Sequence, residues 1–164
     1  MEKRLNRILG EISMTSRLIA TSFSALLMLS ACDAQQTANQ GPDMTRPSSQ
    51  EGAELYFANL QDGQHVKSPL RIIFGLKGLG VAPAGVDKPN TGHHHLLIDT
   101  TLSAEEMQYA ITKDDQHRHF GGGQTEAVIE LTPGPHTLQL VLGDLNHEVL
   151  DPPLMSKQIT VIVE

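Results

Sequence analysis

Leu70, Ile72, Phe74 and Leu76 alternate with Arg71, Ile73, Gly75 and Lys77. This is the period-2 pattern of a strand with one face buried. The same alternation returns at Leu138, Leu140 and Leu142, and again at Ile159, Val161 and Val163. Shorter apolar runs at Leu55–Ala58, His94–Ile98 and Ile129–Leu131 predict further strands. Turn chemistry separates them: Gln61-Asp62-Gly63-Gln64, the Gly- and Pro-rich stretch 78–92, Asp99-Thr100, and Thr132-Pro133-Gly134-Pro135. One helix is expected over Ala104–Ala110, because Ser103 and Glu106 have the spacing of a capping box. The polar stretch 112–125 predicts a loop. Short strands divided by turns, with one minor helix, predict an all-β domain over residues 53–164, an antiparallel immunoglobulin-like β-sandwich.

The first 52 residues follow a different pattern. Leu18 to Leu29 is mostly apolar, Arg17 precedes it, and Leu29-Ser30-Ala31-Cys32 closes it. A basic n-region, an apolar core and small residues at the cut are the layout of a secretory signal. The twelve-residue apolar run falls short of the roughly 20 residues that a spanning helix needs. The ending resembles the lipobox of bacterial lipoproteins, in which the cysteine is acylated and becomes the new N-terminus. Residues 1–31 are therefore expected to be a lipoprotein signal peptide, starting at Met1 or, with a better-proportioned n-region, at Met14. Cys32 is the expected lipidation site. Residues 32–52 are dominated by Gln, Asn, Ser, Thr, Pro and Gly, and read as a flexible, lipid-anchored linker. These features imply a bacterial envelope protein tethered to a membrane and facing the periplasm. Asp33 resembles an inner-membrane retention signal of enteric bacteria, a rule that does not extend to other lineages.

Charge narrows the partners. Loss of the signal removes Lys3, Arg4, Arg7, Arg17, Glu2 and Glu11, which takes the formal charge from −7 to −9. So acidic a protein is a poor partner for nucleic acid or for anionic lipid, so membrane attachment falls to the acyl chains. Cys32 is the single cysteine, which rules out an internal disulfide. With no Trp, two Tyr and four Phe, the core must be aliphatic.

All eight histidines lie beyond residue 60. His93 and His95 can share one face of an extended chain, and His117 and His119 repeat that spacing. Two His-x-His pairs could supply up to four imidazoles, a nitrogen-rich set that suits copper or zinc. His93, His95 and His136 are the principal candidate ligands, with His117, His119 and His147 as further members. Asp99 and Asp144, with Glu148, are candidate outer carboxylates that would orient the rings. The plainer alternative is that these histidines only structure strand ends. His136 is in phase with Leu138, Leu140 and Leu142, and His94 with Leu96 and Ile98, so either could be a core histidine. Met107 and Met155 could serve Cu(I), although methionine more often fills core gaps. Gly121-Gly122-Gly123 lacks the Lys-Ser/Thr of a phosphate loop and reads as a mobile loop, with a place beside a binding site as the lesser alternative. No Ser stands in a nucleophile elbow, and no carboxylate pair reads as acid and base.

Several separated motifs have a family likeness. They are Phe57 to Phe74, Gly92-His93-His94-His95-Leu96-Leu97-Ile98-Asp99, Gly123-Gln124-Thr125-Glu126, Leu131 to Leu140, and Gly143-Asp144 through His147 to Pro152-Pro153. Together they resemble the bacterial domain-of-unknown-function 4399 family over nearly all of residues 53–164. The resemblance implies a small exported β-sandwich, often lipid-anchored, without an assigned activity. The resulting expectation is a non-enzymatic envelope protein that binds copper or zinc through a histidine cluster. The alternatives are a protein- or glycan-interaction module with structural histidines, and a copper-dependent redox enzyme.

Overall fold

The alternating segments become strands of two packed sheets. The protein is seen in a computed structural model that describes residues 49–164. The expected signal segment, Cys32 and the expected linker up to residue 48 lie outside the described residues. Strands β1 (Glu54–Phe57), β3 (Leu70–Lys77) and β7 (Glu126–Ile129) form an antiparallel sheet in the order β1-β3-β7. The second sheet runs β2 (Gln64–Val66), β9 (Ile159–Val163), β8 (Gly134–Gly143), β5 (Thr91–Ile98), β4 (Gly80–Val81), and β6 (His117–Phe120) also pairs with β5.

The sheets face each other across an aliphatic core. Leu55, Leu70, Ile72, Phe74 and Ile129 come from the smaller sheet, and Leu96, Leu138, Leu140, Leu142, Val161 and Val163 from the larger. Each such side chain contributes about 1.5–3 kcal/mol by leaving water. The larger sheet is buried on its outer face as well. There Leu97, Ile111, Val141 and Val149 form a second cluster, with Leu102, Met107 and Met155 packed against it. Both methionines are thus placed as packing groups of this small outer core. Burial on both sides explains why β5 departs from simple alternation: every residue from Gly92 to Ile98 is buried.

Three local expectations change. The pairing is antiparallel except that β2 runs parallel to β9 and β4 parallel to β5. The helix expected at 104–110 is one 3-10 turn, Glu106–Gln108. Its capping box does form: Ser103 donates its N–H and hydroxyl to the Glu106 carboxylate at 2.8 and 2.7 Å, and Glu106 N–H donates to Ser103 Oγ at 3.2 Å. The turn stops because Tyr109 is extended and Ala110 bridges to Glu148, so sheet pairing overrides helix propensity. Finally, the loop expected at 112–125 contains strand β6.

Candidate metal centre

Cross-strand partners lie on the same side of a sheet, so the register of β5 decides what its outer face meets. His95 is opposite Val141 on β8 and His119 on β6, and Val141 is in turn bridged to Met155. His93 is opposite Gly143, which bridges to Val149. Leu97 is opposite His117 and Gln139. The outer face therefore carries a row Met155-Val141-His95-His119, flanked by His93 on one side and Leu97 on the other. His94 points the opposite way. It is fully buried, its ring lies 5.0 Å from Phe74, and its Nδ1–H donates to the Gln124 carbonyl at 3.1 Å.

The fourth imidazole arrives from the turn after β8. One oxygen of the buried Asp144 carboxylate accepts the N–H groups of Asn146 and Glu148, each at 2.8 Å. Around this acceptor the chain folds back: His147 N–H donates to the Asp144 carbonyl, and Ile111 N–H donates to the His147 carbonyl at 2.9 Å. His147 itself has φ 68°, a left-handed conformation uncommon outside glycine and often found at functional sites.

His93, His95, His119 and His147 converge so closely that one ring nitrogen from each lies within 4.8 Å of all the others. Nε2 of His93 is 3.0 Å from Nε2 of His95 and 3.2 Å from Nδ1 of His147. A ring nitrogen has one in-plane lone pair or one hydrogen, so it cannot serve both neighbours well. Nε2 of His119 is buried without any hydrogen bond, as are Nε2 of His94 and the other ring nitrogens, Nδ1, of His93 and His95. Such groups normally find partners, and each orphan costs about 1–3 kcal/mol. Four nitrogens around an ion at about 2.0–2.1 Å stand roughly 3.3 Å apart in a tetrahedron. The 3.0 and 3.2 Å contacts are close to that spacing, the remaining pairs lie within 4.8 Å, and the four rings could hold an ion among them.

The electrostatics suit the same role. Burial, then the neighbouring imidazoles His147, His119 and His94, lower the His93 pKa to about 4. Burial, followed by His93, His119, His147 and His94, lowers His95 to about 2. His119 is also lowered, by burial first and then by His147 and Lys113. These three rings are neutral at physiological pH, and neutral imidazole is the form that binds a metal.

His136 and His117 lie elsewhere. His136 Nδ1 is 2.7 Å from the Asp99 carboxylate, and its Nε2 is 2.9 Å from the Thr132 carbonyl. Both partners are acceptors, so both nitrogens must donate, which requires the protonated ring. Burial opposes that charge, but the Asp99 and Thr132 hydrogen bonds and the Asp99 charge outweigh it and raise the pKa. A ring held this way has no lone pair for a metal. His117 Nδ1–H donates to Asp114 at 2.9 Å, apart from the four-ring group. The expected orienting carboxylates are likewise used elsewhere: Asp99 serves His136 and the Thr137 N–H, and Asp144 serves the backbone of its own turn.

Two glycines, Gly121 and Gly143, make room for this site in a way their sequence neighbourhood does not announce. A Cβ at Gly143 would come 2.9 Å from His95 Nε2, and one at Gly121 would come 2.3 Å from the His119 ring. Each is on or beside a strand carrying the cluster, and bare backbone makes room for the imidazoles. Replacing Gly121 by alanine should push His119 aside with the fold retained. A roughly tenfold or greater loss of metal affinity in calorimetric titration is expected, the scale on which displaced supporting groups act. His136→Ala should do the reverse. It should lower urea stability by roughly 1 kcal/mol, since Asp99 is partly exposed, and leave metal affinity unchanged.

Residues 72–164 match the family described as Domain of unknown function (DUF4399). The chain belongs to that family. Neither the curated proteins nor the solved structures compared with it give a match. The matched part of this DUF4399 protein begins inside β3 and contains all four clustered histidines, both glycines and the Asp144 turn.

Proposed function

We propose that this DUF4399 protein binds a copper or zinc ion through His93, His95, His119 and His147, as a non-enzymatic binding protein of the bacterial envelope. The observation that carries the reading is the convergence of four ring nitrogens within 4.8 Å. Three of those rings are held neutral, and Nε2 of His119 is buried without a hydrogen-bond partner. An all-imidazole set suits either ion. His93 and His95, on the buried strand β5 between its paired neighbours, would be the fixed ligands. His119 and His147, on β6 and the Asp144 turn, would complete the site from the more exposed side.

Attachment to the membrane rests on the signal layout and on Cys32. Among the described residues no helix is long and apolar enough to cross a membrane. A lipid anchor at Cys32 would hold the acidic domain at a membrane surface, facing the periplasm.

Titration calorimetry with Zn(II) and Cu(II) tests the metal reading, and electron paramagnetic resonance of the Cu(II) form reports its ligands. One ion per chain with a nitrogen-rich signature is expected. No binding tighter than millimolar for either ion would overturn the proposal. Incorporation of labelled fatty acid, lost in Cys32→Ala, tests the anchor separately.

A further inference from the structure

The segment after β4 touches three ligand-bearing elements within four residues. Ala82 N–H donates to the carbonyl of Gly92, the residue before His93, at 2.9 Å. Ala84 N–H donates to the carbonyl of Gly121, two residues after His119, also at 2.9 Å. Gly85 N–H donates to the carbonyl of Leu145, two residues before His147, at the same distance. The Val86 N–H closes the turn on the Pro83 carbonyl at 3.2 Å. Side-chain packing follows the same line: a Cβ on Gly121 would lie 3.3 Å from the Ala84 Cβ and would strike the His119 ring, while Gly123 rests against Pro83.

The His119 and His147 rings themselves touch, with centroids 4.7 Å apart. This segment adds the backbone hydrogen bonds that tie the end of β6 and the Asp144 turn to one short stretch of chain. Those two elements supply the two less buried imidazoles, His119 and His147. We propose that residues 82–86 are a clamp that holds His119 and His147 at their separation across the open side of the site, and that retention of the ion depends on it. The inference rests on the metal-binding reading and adds positioning residues that touch no ligand atom. Gly85 is its pivot. It has φ 77° with nothing within 4 Å of a would-be Cβ, so backbone conformation and the N–H, not space, set what the position accepts.

Two substitutions separate these requirements. Gly85→Pro deletes the N–H and demands a negative φ. Gly85→Asn keeps the N–H and tolerates positive φ. In the full chain loaded with Zn(II), release to excess chelator should be at least tenfold faster for Gly85→Pro, with one ion still bound per chain. Gly85→Asn should release at the wild-type rate. Amide hydrogen exchange on the metal-free proteins should show faster exchange at Asn146 and Glu148 in Gly85→Pro, with β5 and β8 protection unchanged. Equal release rates and equal amide protection in all three proteins would overturn the clamp. Should Gly85→Pro not fold, Gly85→Ala takes its place, because it strains φ alone; a smaller acceleration is then expected, and none would count against the clamp. A wild-type protein that takes up no ion overturns the metal reading and the retention role with it. The amide exchange would still tell whether residues 82–86 hold the two sides together.

Discussion

Replacing His93 and His95 together by alanine should abolish measurable metal binding. These two rings are the buried half of the cluster, and their strand is paired on both edges, with β8 on one and β4 and β6 also bonded to it. Losing an outer-shell partner typically weakens a metal site about 10–100-fold, and losing a ligand costs at least as much, so the pair should cost roughly a thousandfold or more. The measurement is a Zn(II) or Cu(II) titration of wild type, His93→Ala/His95→Ala and His136→Ala. Loss of binding in the double variant and full binding in His136→Ala would separate ligation from structural support. If all three proteins bound alike, the cluster would be only packing. The domain would then be better read as an interaction module whose histidines organise its loops.

The second large effect is on stability, through metal and pH together. A ligand that binds only the folded state at a hundred times its Kd adds about 2.7 kcal/mol. For a domain of this size that is roughly a 10 °C rise in Tm. Acid works against the metal-free fold. His93 and His95 have folded pKa values of about 4 and about 2, below the ordinary imidazole value of 6.5, so the unfolded chain takes up protons that the folded chain refuses. The contribution of these two rings is therefore constant above pH 6.5 and falls below it, by at most about 1.4 kcal/mol per pH unit for each ring. The loss from His93 levels off near pH 4, and that from His95 nearer pH 2. His136 has the opposite sign. Its raised pKa adds stability that is complete below 6.5 and fades as pH rises through the folded value, so it partly offsets the acid loss. Urea titrations between pH 4 and 8 should show a steep acid decline that shrinks when His93 and His95 are replaced. Bound metal should move the decline to lower pH. An acid midpoint that ignores both metal and the double substitution would contradict this account.

The strands that dominate the core were legible because a half-buried sheet imposes alternation on the chain. Leu70–Leu76, Leu138–Leu142 and Ile159–Val163 all emerged as β3, β8 and β9. Strand β6 did not, and the reason is physical. Its sequence, His-Arg-His-Phe, shows no apolar alternation, because the face it buries is imidazole. A periodicity argument that counts apolar residues cannot see a strand whose covered outer face is built of histidines. The helix at 104–110 failed differently: its capping box is real, but sheet pairing at Ala110 ends the helix after one turn.

The candidate site divides along the same line. That His93 and His95 share a face follows from the two-residue period of any strand, and it holds here. The period also places His136 with Leu138, Leu140 and Leu142, but local sequence says nothing about which face of β8 lies beside which face of β5. The register supplies that: His93 and His95 stand opposite Gly143 and Val141, the other parity of β8 from His136. His119 reaches the cluster through its pairing with His95, and His147 through a turn wound on the Asp144 carboxylate. The chain thus encodes its strands, its acidic surface and its stock of imidazoles locally, residue by residue. Which four imidazoles meet depends on contacts between segments up to 54 positions apart, and those exist only once the sheets have paired and packed.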